Sequence, residues 1–446
     1  MNLSAGGSTP RRIGLAHLAL LLPWVTVMIG SFRSVSDNSF LWHVRAGAVQ
    51  ARLGSVVTSD PFSFTMAGEP WLTQSWLAEL GYSVLYESFG LSFIAFVMAA
   101  LALVTVVAVA LSALDRSGSV MVTAGVVLLT TLLLQPVLVA RPVIFSFPLL
   151  ALVILAWDRP NLRWTIPFLF WLWASLHSSF LIGGAYIVLR LIAKREWRAW
   201  PQIAAAGIAT LMTAHGLGTV RIVLEFGSAR PFLRLMQEWQ TPNFLTVALI
   251  GFVIGLGWLL YSASKGRLET RDLWVVVPFL LLGLSASRAV FPAWIALATV
   301  VAGASGRLRW GKGFTRPVAV ATALVIIVLP LLFIGPVDVD EDTFPVAASA
   351  HLEDVRTFHD APSGGYFIFT DQFTDGVFID DRAELFRERM EEMVAVRMGT
   401  EPWATVFTRD GIKQALVPPD SPLRELLVAS GWREYYRDVN FAVLRP

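Results

Sequence analysis

Leu172-Trp173-Ala174-Ser175-Leu176-His177-Ser178-Ser179-Phe180 stands in the middle of an apolar run over 164–192. As one α-helix that run is about 45 Å long, more than the ~30 Å hydrocarbon core of a bilayer. His177-Ser178-Ser179 divides it into two shorter arms, and a second run, 274–301, divides in the same way near Ser287-Arg288. Charge decides between a long tilted helix and a hairpin. With both runs folded as hairpins, the basic loops fall on one side: Arg11-Arg12, Arg116, Arg159 with Arg163, Lys194-Arg195 with Arg198, Lys265/Arg267/Arg271 and Arg307/Arg309/Lys312/Arg316. The excess of Lys and Arg on inner loops makes that side cytoplasmic. A single helix over 164–192 would move Lys194-Arg195-Glu196-Trp197-Arg198 to the other face and break the pattern. The hairpins are therefore expected.

Further spans are read at 13–32, 92–114, 119–139, 244–261 and 317–335, with shorter ones at 143–157 and 202–215. The expected class is a polytopic α-helical membrane protein with about eleven transmembrane helices. Its place is the inner (plasma) membrane, the N-terminus cytoplasmic and a small C-terminal α/β domain extracytoplasmic. Composition agrees: 55 % of the residues are hydrophobic and only 15 % charged, the balance of a membrane chain. The run 13–32 is too long for the apolar core of a secretory signal and reads as a retained helix. Residues 337–446 carry 21 acidic and 11 basic side chains, a net of −10, while the rest carries 12 and 24, a net of +12. Two compartments follow from that division, with domains at 1–336 and 337–446. There is no cysteine, so disulfides, thiolate metal sites and a Cys nucleophile are excluded.

In the C-terminal part, 366–370, 377–380 and 415–417 read as strands, 384–397 and 422–430 as helices, and 434–436 with 441–444 as a closing hairpin. Ser363-Gly364-Gly365-Tyr366 and Phe378-Ile379-Asp380-Asp381-Arg382 are its distinctive stretches, read as a Gly turn and a strand-end acid pair rather than as catalytic groups.

The hairpin topology gathers polar groups at one end of the bundle: Asp37, His43, Asp60, Arg141, His177, His215, Arg230, Glu238 and Arg288. Asp37 opens the outer loop 33–91, in Asp37-Asn38-Ser39-Phe40-Leu41-Trp42-His43-Val44-Arg45-Ala46-Gly47. Ionisable groups at a lipid boundary are costly and mark function by default, although a solvated Asp in a capped loop fits the same residues. Asp60 precedes Pro61 and reads mainly as a turn residue, whose loss should cost less than that of Asp37. Arg141 and Arg288 suit a bidentate grip on phosphate, or anchoring in lipid headgroups. His177 either lines a site or satisfies backbone where the helix breaks, and His215 is a weaker signal of the same kind. Glu238-Trp239-Gln240-Thr241-Pro242-Asn243-Phe244 is equally an interface anchor or a substrate-facing loop. No dinucleotide fingerprint, P-loop, HExxH or GxSxG is present. Polar residues are scarce at mid-span, where transporters place their sites, and nothing indicates a nucleic-acid partner.

Taken together, the motifs resemble those of the GT-C superfamily of polytopic glycosyltransferases. They are Asp37/Trp42/His43/Arg45/Gly47, Thr58/Asp60/Pro61/Phe62/Ser63, Pro70/Trp71, Trp173/Ala174/Leu176/His177, Glu238/Trp239/Pro242/Phe244, Gly364/Gly365/Tyr366 and Phe378/Ile379/Asp380/Arg382. The resemblance implies transfer of a sugar from a polyprenyl-phosphate carrier to a glycan, lipid or protein acceptor at the outer membrane face. It maps the first-loop base, or acceptor-orienting group, onto Asp37. His43, a catalytic candidate beside Asp37, and His177 would then line the site, Arg141 and Arg288 would hold the lipid phosphate, and His215, Glu238 and Trp239 would face substrate. Asn38 stands where many members carry a second acid, which counts against a two-carboxylate or metal-assisted version; no cofactor is assigned, and a divalent cation is left open.

Overall fold

The computed structural model describes residues 35–228, 237–306 and 337–446. The runs 13–32 and 317–335, Arg230, and the basic groups Arg11-Arg12 and Arg307/Arg309/Lys312/Arg316 lie outside the described residues. After a first helix α1 (Asn38–Leu53), the bundle comprises α2 (Trp76–Ser117), α3 (Val120–Leu134), α4 (Ser146–Asp158), α5 (Ile166–Leu176), α6 (Phe180–Lys194), α7 (Trp200–Thr210), α8 (Gly218–Ser228), α9 (Val247–Ser264), α10 (Leu273–Ser285) and α11 (Val290–Ser305). Among the described residues, Trp76–Ser117, Val120–Val137 and Ser287–Ser305 are long and apolar enough to cross a membrane. Pro142–Asp158 and Leu249–Ser264 are shorter apolar helices. The chain is a membrane protein, but the other expected spans are shorter than a full crossing or fall outside the described residues.

Both expected breaks are present. α5 stops at His177, whose backbone is extended (φ −168°, ψ 144°), and α6 begins at Phe180. α10 stops before Ala286, also extended, and a 3-10 turn Ser287–Ala289 leads into α11. The first pair is no tight hairpin: α5 packs mainly on α7, while α6 packs on α4 and α10. α11 is the central staff, against α2, α3, α4, α9 and α10. Its buried Trp294 donates to Thr130 Oγ1 at 2.9 Å. A Cβ at Gly255 would lie 2.2 Å from that indole, so glycine is required there.

The stretch read as an open outer loop is largely helical. Asp37 caps α1 by accepting from the Phe40 N–H at 3.2 Å, and Gly54 (φ 64°) closes it. Asp at the N-cap satisfies one of the orphan donors of the first turn. α2 starts sixteen residues before its expected position and kinks at Gly90 (φ 76°, ψ −175°), so its first part runs beside α1. The two helices cross at Gly47, where a Cβ would meet the Glu79 carbonyl oxygen at 2.0 Å.

The C-terminal segment forms a four-stranded sheet of order β1-β2-β4-β3 from β1 (Thr357–Phe358), β2 (Gln414–Val417), β3 (Arg433–Arg437) and β4 (Ala442–Arg445). β1 is parallel to β2, and the other pairs are antiparallel. Helices α12 (Ala361–Thr370), α13 (Ala383–Arg397), α14 (Trp403–Asp410) and α15 (Pro422–Ala429) accompany it. The closing hairpin, β2, α13 and α15 match expectation; β1 and α14 were not foreseen. Residues 366–370 are helical, not a strand, because Asp360 caps the helix (Ser363 N–H, 3.0 Å) and Pro362 occupies its first turn. That start signal outweighs the β-propensity of the aromatic run. Residues 377–380 join no strand of the sheet: Val377 pairs with the first loop, its N–H donating to the Phe62 carbonyl at 2.9 Å and its carbonyl accepting from the Phe64 N–H at 3.1 Å.

His359 is sealed in this core. Its Nε2 accepts from the Phe378 N–H at 3.0 Å and its Nδ1 faces the Asp360 carbonyl oxygen at 2.8 Å. Burial pushes its pKa down from 6.5 to about 4, against the pull of Asp360. The unfolded chain therefore binds the proton first on acidification. Stability is intact above about pH 6.5 and declines as pH falls towards 4, by on the order of 3 kcal/mol. Thermal unfolding across that range should show the decline, and His359→Gln should flatten it.

Candidate active site

Four segments bring charged side chains together at one end of the bundle. Asp37, at the head of α1, uses Oδ1 for the cap, while Oδ2 accepts from Arg141 Nε at 2.5 Å. Arg141 precedes a 3-10 turn (Pro142–Phe145) that leads into α4. Its Nη1 donates to Glu238 Oε2 at 2.9 Å, and Arg288, from the break between α10 and α11, donates Nη1 to Glu238 Oε1 at 2.9 Å. The Arg288 guanidinium lies over the Trp239 ring, 4.5 Å from its centroid. One carboxylate thus spaces two guanidinium groups. Among the described residues, Arg141 Nη2 and Arg288 Nε and Nη2 make no hydrogen bond within the protein. Burial opposes the charge of Arg141, but the carboxylates of Asp37, Glu238 and Asp381 outweigh it and raise its pKa. Two fixed forks with spare N–H groups can receive a phosphate.

The histidines are set differently. His177 is buried, and its Nδ1 accepts from the Ser179 N–H at 3.1 Å, which puts the ring proton on Nε2. Burial, then the charges of Arg288 and His43, push its pKa down to about 3, so it acts as a neutral donor. His43 Nδ1 meets Glu79 Oε1 at 2.9 Å. Glu79 is fully buried and also accepts from Thr73 Oγ1 and, at 2.5 Å, from Gln50 Nε2. His215 lies apart from the arginines and braces the same loop, its Nε2 2.7 Å from the Thr73 carbonyl oxygen. Of the expected residues, Asp37, Arg141, Glu238, Trp239 and Arg288 form one connected group. His43 pairs with Glu79, His177 with Ser179, and His215 is a strut.

Glu79 is absent from the sequence reading, and Asp381 enters it only as half of a strand-end acid pair. Glu79 looks like a surface acid at the start of a span, although an acid in so apolar a helix is itself a signal. Asp381 comes from the C-terminal segment: its carboxylate accepts from Ser39 Oγ and, at 2.5 Å, from Trp42 Nε1, one turn from Asp37. Beside it Arg382, fully buried, donates to Asp380 Oδ2 at 2.6 Å and to Asp60 Oδ1 at 2.7 Å. Burial works against the Arg382 charge, but Asp380 and Asp60 more than offset it and raise its pKa. Asp60 does make its turn, accepting from the N–H groups of Phe62 and Ser63. It is more than a turn residue, however, because it also ties the first loop to the C-terminal segment. The glycine pair is an approach point rather than a turn: a Cβ at Gly364 or Gly365 would meet the Ile379 or Asn38 carbonyl oxygen at 1.8 or 2.6 Å. Among the described residues no group of three or more His, Asp or Glu is placed to hold a metal ion.

The chain thus combines a helical bundle, a charged cluster at one end and a small mixed sheet with its helices over that end. The chain is similar to the crystal structure of ArnT from Cupriavidus metallidurans in the apo state. The TM-score is 0.54 at 14 % sequence identity, with 96 % of each chain covered. No protein-family model matches the chain, and no curated protein sequence does.

Proposed function

We propose that the chain is a GT-C-type membrane glycosyltransferase. It moves a sugar from a polyprenyl-phosphate carrier to an extracytoplasmic glycan, lipid or protein acceptor during assembly of cell-envelope glycans or glycoconjugates. The observation that carries this reading is the connected group of Asp37, Arg141, Glu238 and Arg288, set in a fold shared with ArnT. The spare N–H groups of Arg141 and Arg288 bind the carrier phosphate and stabilise the charge it acquires on leaving. Asp37 fixes Arg141 and orients the acceptor hydroxyl. The acceptor oxygen forms a bond to the anomeric carbon as the carbon–oxygen bond to phosphate breaks, and the hydroxyl proton passes to a base. His177 Nε2–H is a neutral donor beside the Arg288 charge. The excess of Lys and Arg on the opposite loops supports the orientation, with this cluster and the C-terminal segment outside.

In a strain lacking the chain, mass analysis should show an envelope glycan short of one sugar and accumulation of the corresponding polyprenyl-phosphate sugar. Unchanged glycans and unchanged lipid-linked sugars would refute the reading. Loss of the glycan with intact transfer chemistry in isolated membranes would favour a non-catalytic transporter or assembly partner.

A further inference from the structure

Glu79 presents an unusual balance. It is 0 % exposed, and it accepts from Thr73, Gln50 and His43, yet among the described residues no Arg or Lys pairs with it. A buried carboxylate without a cation is expensive. His43 is the titratable side chain hydrogen-bonded to it, at 2.9 Å; the charge of Glu79 also reaches His215, whose Nε2 is held on the Thr73 carbonyl oxygen. The His43 ring lies against Trp42 with centroids 3.6 Å apart, and Trp42 in turn holds Asp381. With Nδ1–H donated to Glu79, the lone pair of His43 is on Nε2. That atom has no hydrogen-bond partner among the described residues, and the residue keeps 6 % exposure. Asp37, by contrast, has both oxygens engaged, one by the α1 cap and one by Arg141.

We infer that His43 Nε2 takes the acceptor proton in the transfer and that Glu79 is its positioning residue; the inference rests on the glycosyltransferase reading above. As the acceptor oxygen bonds to the anomeric carbon, its proton moves to Nε2 and the phosphate leaves with the electrons of the broken carbon–oxygen bond. The imidazolium so formed is the missing counter-charge of Glu79. A carboxylate on Nδ1 fixes the tautomer and stabilises the charged ring, the general logic of a His–carboxylate pair. Asp37 keeps both of its bonds and orients the hydroxyl through a remaining lone pair rather than removing its proton.

The test uses membranes of the deletion strain with their own accumulated lipid-linked sugars, supplied with full-length chain, and product is read by mass and normalised to protein. His43→Ala should lower turnover by about 10²–10⁴-fold. Imidazole should restore it, whereas pyrrole, which fills the same space and donates one N–H but offers no basic lone pair, should not. His43→Gln keeps a donor to Glu79 and should be as inactive as His43→Ala. Adding Glu79→Gln to His43→Ala should abolish the imidazole rescue. Equal rescue by pyrrole, rescue by neither compound, or near wild-type turnover in His43→Gln would overturn the proton-acceptor role. Failure of the wild-type chain to convert the accumulated donor would instead defeat the glycosyltransferase reading, and it is seen before any variant is compared.

Discussion

Asp37→Asn is expected to lower sugar transfer by about 10²–10³-fold, the size of effect that follows loss of a group organising charge stabilisation, with no change in the amount of protein in the membrane. Asn is as good an N-cap as Asp, so the bond from the Phe40 N–H (3.2 Å) survives and α1 keeps its start. What is lost is the charge that fixes Arg141 Nε at 2.5 Å. Arg141 then leans on Glu238 alone, which already holds Arg288, and the two forks no longer keep their spacing. Arg141→Lys and Arg288→Lys probe the same arrangement from the other side. An ammonium lacks the planar fork by which Arg141 would join Asp37 and Glu238 to a phosphate and Arg288 would join Glu238 to it, so both variants should be impaired despite conserved charge. Turnover equal to wild type in Asp37→Asn, at matched levels of membrane protein, would remove the charged group from the reaction.

Parts of this architecture were legible because they rest on local, one-dimensional patterns. His177-Ser178-Ser179 interrupts an apolar run, and a polar trio inside such a run has few places to go other than a helix break. Asp37, Arg141, Glu238 and Arg288 could be gathered at one end from span order and basic-loop bias alone. Residues 38–53 read as loop in the sequence because an N-cap Asp before a modestly amphipathic stretch is a weak signal beside the long apolar runs around it. Residues 366–370 misled through aromatic β-propensity, which the capped start at Asp360 and burial against α1 override. Glu79 and Asp381 were beyond reach for a different reason. Their meaning lies in partners 36 and 339 residues away, His43 and Trp42, and no periodicity records such a contact. Arg382, from the same turn, was visible as a motif, but its partner Asp60, 322 residues away, was not.

Asp60→Asn should separate stability from chemistry in the opposite sense to Asp37→Asn. The Asp60 carboxylate accepts four donors: the N–H groups of Phe62 and Ser63, the Ser63 hydroxyl, and Arg382 Nη2 at 2.7 Å. An amide offers one oxygen and presents an NH2 group to donors at the other position, so at least one buried donor is left facing another. Arg382 keeps Asp380, bound through Nε at 2.8 Å and Nη2 at 2.6 Å, but loses its link to the first loop. It remains wedged beside Trp71, whose ring centroid is 4.5 Å from the guanidinium carbon. Breaking one arm of a buried charge network costs about 3–5 kcal/mol. That loss falls on the seam that also includes the pairing of Ser63 with Val377 and the bond from Trp71 Nε1 to Glu384 Oε1 at 3.1 Å. The C-terminal segment should therefore become sensitive to limited proteolysis at temperatures where wild type resists. Transfer should fall with it, because Asp381 loses its place on Ser39 and Trp42 as Arg382 moves. Lowering the temperature until the seam closes should restore much of the activity of Asp60→Asn and none of that of Asp37→Asn. Wild-type protease resistance in Asp60→Asn would show that Asp380 alone satisfies Arg382 and that the roof is held by its other contacts.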